Sequence, residues 1–334
     1  MIISRTPFRV SLFGGGTDYP KWYLQHGGAA LGFAINKYCY ISIRPLPPFF
    51  EYRHRIVYSK VENVNEISDI QHPAVRGVLM DKGIDIGVEI HHDGDLPARS
   101  GLGSSSSFTV GLLNALAALK GQMIDKKPLA REAIRIEQQV IKEHVGSQDQ
   151  VWAAYGGLNR IDFLKNGEFD VQPAIIAPDR RERLLGSLQL YFTGFSRFAS
   201  EIAKKQIDNI DKRQKHLTAM KAAVDEALAV LQSKNRQLRE IGELLHESWR
   251  LKRELADNVT TPEIDDIYDA ARAAGAVGGK LLGAGGGGFM VLFVEPDEQP
   301  AVNERLKKLV RVGFGIDEVG SKIVVYEPAG LENR

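Results

Sequence analysis

Residues 97–107 read Pro97-Ala98-Arg99-Ser100-Gly101-Leu102-Gly103-Ser104-Ser105-Ser106-Ser107. Glycines let the backbone curl so that several N–H groups point inward, and a helix starting at the serines adds the positive end of its dipole. The apolar run 108–119 that follows reads as that helix. A turn of this composition between an extended segment and a helix forms an anion site. Its hydroxyls suit phosphate or a hard cation. A flexible linker ending in a serine cap would carry the same residues, so the loop alone leaves both readings open. It is no Walker A loop, because the chain contains no GxxxxGK followed by Ser or Thr: Lys280, which follows Gly279, is followed by Leu281. It is no dinucleotide fingerprint either, since no GxGxxG lies between strand and helix with an acid beyond it.

The alternation of elements extends outward from this loop. Residues 84–92 alternate as a strand, 32–43 are strand-like, and 2–13 form an extended segment running into Gly14-Gly15-Gly16. Downstream, residues 128–145 show a helical apolar stripe through Leu129, Ala133, Ile136 and Val140. Glu137 interrupts that stripe, with Ala133, Ile134, Val140 and Ile141 as its helical neighbours. A carboxylate there must be paired or metal-bound, and Arg131 and Lys142 offer an ordinary ion pair. Gly146 can end the helix and Ser147 can cap a short one over 148–155. Asp149 then falls in a first turn, where the dipole favours its ionised form. A plain capping acid fits this placement, and so does a carboxylate that orients a hydroxyl during phosphoryl transfer.

Two prolines and the cluster Asp179-Arg180-Arg181-Glu182-Arg183 mark a boundary. Domains are expected over 1–173 and 174–334. The second half reads as a strand at 188–193, amphipathic helices at 199–232, 236–257 and 262–274, a glycine-rich loop at 275–288 and a buried strand at 289–294. The glycine loop carries a high backbone-entropy cost and leads directly into Phe289-Met290-Val291-Leu292-Phe293. Close approach of backbone to a ligand or to another loop explains it better than a linker does.

With 334 residues the chain exceeds one ordinary core, and its 43% hydrophobic and 25% charged content is that of a folded globular protein. The alternation of strand-like and helix-like segments indicates a mixed α/β (α+β) class. A net charge of +1 gives no global field for nucleic acid. The basic residues of 204–215 alternate with acids, as on a solvated helix face. Cys39 is the sole cysteine, so no internal disulfide forms. No signal peptide and no apolar run of about 20 residues is visible. The expectation is a cytoplasmic protein without membrane or nucleic-acid partners.

Three segments together resemble the GHMP kinases. They are Pro7 to Asp18 (PFRVSLFGGGTD), Pro97 to Ser106, and Lys280 to Phe289 (KLLGAGGGGF). The resemblance implies an N-terminal domain like ribosomal protein S5 domain 2 and a C-terminal ferredoxin-like α+β domain, with the site between them. It implies ATP held by Pro97, Arg99, Ser100, Gly101, Leu102, Gly103, Ser104, Ser105 and Ser106, and Mg²⁺ held by Ser105 and Glu137. It further implies Asp149 as the catalytic acid–base, Arg9 beside the reacting hydroxyl, and Gly16, Thr17, Asp18, Gly285 and Gly286 around the substrate. Galactokinases usually carry an acid and a histidine where Gly15 and Gly16 stand. Gly-Gly-Gly-Thr-Asp with Gln148-Asp149-Gln150 is similar instead to the heptose-phosphate kinases. That branch implies phosphorylation of the C1 hydroxyl of D-glycero-D-manno-heptose 7-phosphate to the 1,7-bisphosphate, on the way to nucleotide-activated heptose for surface glycans. A fucose kinase and a silent sugar-sensing module stay open as alternatives, as does a homodimer. Lys21, Arg99 and Arg197 are the candidate cations for a distal phosphate.

Overall fold

The computed structural model describes residues 1–194 and 199–328. Its first half is built around β1 (Ile2–Phe13), which is buried along both faces from Thr6 onward. After a glycine turn come α1 (Pro20–His26), the 18-residue β2 (Gly28–Pro45), the hairpin β3 (His54–Val57) and β4 (Val61–Val64), α2 (Pro73–Asp81) and β5 (Val88–Gly94). The phosphate-type loop leads into α3 (Ser104–Leu119), α4 (Lys126–Arg135) and α5 (Gln148–Tyr155), then the hairpin β6 (Leu158–Phe163) and β7 (Phe169–Pro173). The second half runs α6 (Pro178–Ser187), β8 (Leu188–Phe192), α7 (Ala199–Asp208), α8 (Gln214–Gln232), α9 (Arg239–Arg253), α10 (Pro262–Ala273), β9 (Gly278–Leu281), β10 (Phe289–Phe293), α11 (Gln299–Arg305), β11 (Val310–Val312) and β12 (Lys322–Tyr326).

Two sheets organise the α+β architecture. The larger follows the order β12-β1-β2-β5-β3-β4, with β6 also on β2 and β7 on β6. The length of β2 makes this possible: residues 28–33 pair with β6, while 39–45 pair with β5. The smaller sheet has the antiparallel order β11-β8-β10-β9. α3 packs on β1 and β2, and α9 covers β9 and β10. Trp249, Tyr268, Met290 and Leu292 belong to a second hydrophobic cluster around the smaller sheet. β12 pairs antiparallel with β1, Ile2 opposite Tyr326, so a strand from near the far end of the described chain lies at the edge of the first sheet.

Several local expectations change. The helix expected over 128–145 ends at Arg135 and widens into a π-turn, Ile136–Val140, closed by Ile141 N–H donating to the Ile136 carbonyl at 2.8 Å. β5 starts only at Val88, and the long helix expected over 199–232 breaks at a 3₁₀ turn, Ile210–Lys212. The glycine-rich stretch expected as one loop is interrupted by Gly278–Leu281, which forms a strand laddered to β10 and leaves the longer loop from residue 282. The charge cluster near the expected domain boundary lies on α6, where the Arg180 guanidinium is buried against the carbonyls of Val230 and Leu231. Among the described residues no helix is long and apolar enough to cross a membrane.

Candidate active site

A cleft of about 1370 Å³ opens where β1, the start of α3, the start of α5 and the glycine loop after β9 meet. At its centre Arg9 of β1, 4% exposed, forks onto Asp149 in the first turn of α5: Nε donates to Oδ1 at 2.8 Å and Nη2 to Oδ2 at 2.7 Å. The third nitrogen, Nη1, donates to the Gly101 carbonyl at 2.6 Å. One guanidinium therefore ties the carboxylate to the serine-rich loop in a bidentate geometry that a lysine could not supply. Asp149 keeps 24% of its side chain exposed and lines the cleft. Ser147, expected as the cap of α5, makes no capping bond; its hydroxyl contacts Gln138 and Tyr23 instead.

The serine loop curls as its composition requires. Gly103 sits in the left-handed region before α3 with no side-chain cap, which leaves the first N–H groups of the helix for a ligand. Ser104 and Ser105 line the cleft beside Ala98, Arg99 and Gly101. Pro97, Ser100 and Leu102, expected to contact the nucleotide, are not among the residues lining the cleft. The Ser100 hydroxyl donates to the Pro97 carbonyl at 2.7 Å, and the Leu102 carbonyl accepts from Arg9 N–H at 3.0 Å. They shape the turn rather than line the cleft. The glycine loop buttresses it from the second sheet: Phe289 N–H donates to the Ser100 carbonyl at 2.9 Å. A Cβ on Gly101 would come within 2.6 Å of the Leu282 carbonyl, and one on Gly288 within 2.3 Å of the Ser100 carbonyl. The two glycine-rich segments meet backbone to backbone there, which leaves no room for a side chain at Gly101, Gly283 or Gly288.

Asp18 is 2% exposed and lines the cleft. Its carboxylate accepts from Gly16 N–H at 2.9 Å and Gln148 N–H at 3.3 Å. Burial, then the nearby charge of Asp149, push its pKa up. Gly146 leaves room for it, since a Cβ there would overlap the carboxylate at 1.8 Å. Thr17, expected at the substrate, is 0% exposed, and its hydroxyl is spent on the carbonyls of Gly14 and Ala29 at 2.8 and 2.9 Å. It fixes the turn that presents Asp18. Gly16 and Gly285 border the cleft. Gly286, also expected at the substrate, gives its N–H to the Val259 carbonyl at 3.0 Å.

Glu137 sits on the π-turn and is 1% exposed. Its Oε2 accepts from the Ser106 hydroxyl at 2.8 Å and from the Gln150 amide. Ser105, expected as its partner, is exposed and faces the cleft. Successive helical residues turn by about 100°, which sends neighbouring hydroxyls of α3 to different faces. Burial raises the Glu137 pKa to about 7, against the opposing effect of the Thr109 and Ser106 hydroxyls and the Gln150 amide. Oε1 is left without a hydrogen bond, the Thr109 hydroxyl being given to the Ser105 carbonyl at 3.3 Å. An orphaned, buried carboxylate oxygen beside serine hydroxyls suits Mg²⁺, a hard cation that takes few protein ligands and fills its sphere with water and phosphate oxygens. No group of three or more His, Cys, Asp or Glu that could hold a metal ion gathers among the described residues.

Two lysines escaped the sequence reading. Lys252, on the inner face of α9, donates to the carbonyls of Leu281 and Gly283 at 2.8 and 2.6 Å. Lys280, on β9, donates to the Leu12 carbonyl at 3.1 Å. Their signal was position: Lys252 follows Leu245, Ser248 and Trp249 on the buried stripe of its helix, and Lys280 lies in a fully buried strand. Of the candidate cations for a distal phosphate, Lys21 is taken up by Asp211 at 2.9 Å and the Ile207 carbonyl. Arg99 stands exposed at the cleft, and Arg197 lies outside the described residues. Aromatic rings from the end of β3, the start of α2, β5 and α3 gather at one wall, with His72 stacked on Phe108 at 4.5 Å and Tyr58 and His92 edge-on to that pair. Burial, then His92, lower the His72 pKa to about 4, so the ring is neutral at physiological pH.

Residues 70–157 match the N-terminal domain of the GHMP kinases and residues 220–311 match the GHMP kinase C-terminal domain, together more than half of the chain. The chain is 28% identical over 320 residues to a D-glycero-α-D-manno-heptose 7-phosphate kinase of Campylobacter jejuni, covering 92% of this chain and 93% of that one. It is 25% identical to a bifunctional fucokinase/GDP-fucose pyrophosphorylase of Arabidopsis thaliana, covering 90% of this chain but 31% of that longer protein. Its fold superposes with a TM-score of 0.79 on a crystal structure described as a D-glycero-D-manno-heptose 1-phosphate kinase from Bacteroides thetaiotaomicron, at 24% identity, covering 98% of this chain and 100% of that one.

Proposed function

The chain belongs to the GHMP kinase superfamily, and on that premise we propose that it transfers the γ-phosphoryl group of ATP to the anomeric C1 hydroxyl of D-glycero-D-manno-heptose 7-phosphate. The observation that carries the phosphotransferase reading is the Arg9–Asp149 fork tied through Gly101 to the open N-terminus of α3. The loop ending at Ser104 and Ser105 holds the phosphates with backbone N–H groups and hydroxyls. The rings of Tyr58, His72, His92 and Phe108 offer a stacking surface for the base. Asp149 accepts the proton of the acceptor hydroxyl as its oxygen bonds to the γ-phosphorus and the bond to the ADP oxygen breaks. Arg9 occupies both carboxylate oxygens from one side and keeps the group aimed into the cleft. Asp18, held by backbone N–H groups, accepts from ring hydroxyls. Glu137 with Ser105 or Ser106 would hold Mg²⁺, which when bound offsets charge on the phosphates. The heptose assignment is supported by the Gly14-Gly15-Gly16-Thr17-Asp18 turn and by the Campylobacter relative.

Phosphorus NMR of the product formed from ATP, Mg²⁺ and heptose 7-phosphate tests this reading. The expected product is the 1,7-bisphosphate. In a panel with free heptose, fucose, galactose and mevalonate, heptose 7-phosphate should be preferred by about 2–3 kcal/mol in kcat/KM, some 30- to 150-fold. A panel in which free fucose turns over faster overturns the heptose assignment and leaves the sugar-kinase reading standing.

A further inference from the structure

Lys252 and Lys280 are 6% and 3% exposed, yet both border the cleft. Neither makes an ion pair within 4 Å among the described residues. An ammonium has three donors. Lys280 spends one, on the Leu12 carbonyl, and Lys252 spends two, on Leu281 and Gly283. Each keeps one donor or more. The charges around them do not balance. With Arg9 they make three cations against the carboxylates of Asp18 and Asp149, and Asp149 is already held by Arg9. Burial and the neighbouring cations press against the charged form of each lysine, lowering Lys252 well below its ordinary value and Lys280, against the opposing charge of Asp18, to about 8. A buried cation without a countercharge is costly, and apolar residues of similar volume would be cheaper.

Their position names the missing partner. Lys252 holds Gly283, and a Cβ on Gly283 would lie 2.6 Å from Gly101 of the serine loop. Lys280 reaches across from the second sheet to Leu12, three residues beyond Arg9 on β1. The two ammoniums thus flank the point where the loop, Arg9 and Asp149 converge. We propose that Lys252 and Lys280 form, with Arg9, an anion subsite of the cleft that receives a phosphoryl group. This deepens the kinase reading and rests on it for the identity of the anion. The same chemistry has two sources, the γ-phosphoryl of ATP and a phosphate already on the acceptor.

Titration with inorganic phosphate, followed by phosphorus NMR, tests the subsite without turnover. Lys280→Met and Lys252→Met should each weaken phosphate binding at least about tenfold, while Lys21→Met, whose ammonium is held by Asp211, leaves it unchanged. Removing a buried cation also relieves desolvation, so Lys280→Met should melt no lower than wild type. If Lys280→Met melts lower and binds phosphate normally, the lysine only straps the sheets together and the proposal fails. Should Lys252→Met fail to fold, Lys252→Gln keeps a donor for the carbonyls without the charge and must show the same loss. A wild-type protein that binds no phosphate also overturns the proposal. Kinetics with phosphorylated and free acceptors separate the sources. Loss of discrimination between them in Lys280→Met assigns the acceptor's phosphate, and equal loss of kcat on both assigns the γ-phosphoryl. A wild type that phosphorylates no sugar refutes the kinase reading and leaves the phosphate titration to judge the subsite.

Discussion

Replacing Glu137 by glutamine should make the metal-free protein more stable at alkaline pH and leave it nearly unchanged at acid pH. The folded carboxyl titrates near 7 against an ordinary 4.5, chiefly because it is buried, with Glu143 adding to the rise. Between these values the folded chain retains a proton that the unfolded chain has released. Stability therefore falls as pH rises through this window, and the loss is complete above about pH 7. A tenfold change in proton affinity is worth about 1.4 kcal/mol, so a separation from 4.5 to about 7 amounts to about 3 kcal/mol. The substituted amide has no proton to lose in this range and can still accept from Ser106. Urea denaturation of both proteins in EDTA, at pH 5 and pH 8, reads the effect. The stability of Glu137→Gln relative to wild type should grow by about 2.5 kcal/mol between the two conditions, since part of the loss is already present at pH 5. Asp18, whose pKa is also raised, titrates in both proteins and cancels in the difference. A difference that stays constant with pH would refute the idea that Glu137 is held as an unpaired acid.

Three further outcomes follow from the site. Asp149→Asn should lower kcat by about 10²–10⁴-fold with ATP affinity and melting temperature nearly unchanged, since Arg9 keeps one acceptor oxygen there; near-normal turnover would reduce Asp149 to a capping acid. Glu137→Gln should raise the Mg²⁺ concentration giving half-maximal activity, and comparing Ser105→Ala with Ser106→Ala then shows which hydroxyl shares the cation; no change in any of the three would leave the carboxyl a structural group. Gly101→Ala, at φ +82° and with its Cβ 2.6 Å from the Leu282 carbonyl, should cost about 1–3 kcal/mol in denaturant unfolding and raise the KM for ATP. Wild-type stability in that variant would mean that the two glycine loops do not press on one another.

A helix-start carboxylate and a curl of glycines and serines also fit a capping acid and a linker; only with the three-motif resemblance were Asp149 and the serine loop legible as parts of the site. The roles inside the loop were not. Pro97, Ser100 and Leu102 have the same local sequence context as Ser104 and Ser105, yet the curl turns the first three toward the turn itself and the last two toward the cleft. Thr17 is expected at the substrate as part of the first motif of the resemblance. Its hydroxyl is consumed by Ala29, twelve residues away, once β2 folds back along β1. Glu137 stood out as a carboxylate on an apolar stripe. Its pairing with Ser106 rather than Ser105 depends on the π-turn and the rotation of α3, and local spacing predicts neither.

The resemblance of the first motif pointed to Arg9 and Asp18; by itself the sequence determined the order of strands, loops and helices around the two glycine-rich segments, and set apart Glu137 and Asp149. These follow from short-range causes: hydrophobic period, backbone freedom at glycine and charge at helix starts act within a few residues. Only the tertiary structure decided that Arg9 grips Asp149 across 140 positions and that β12 pairs with β1. It also decided that Lys252 and Lys280 are buried at the cleft rather than solvated. Those outcomes depend on which surfaces exclude water once the two sheets pack. A lysine on an amphipathic helix carries no local mark of whether its ammonium will meet solvent or a carbonyl from the other half of the chain.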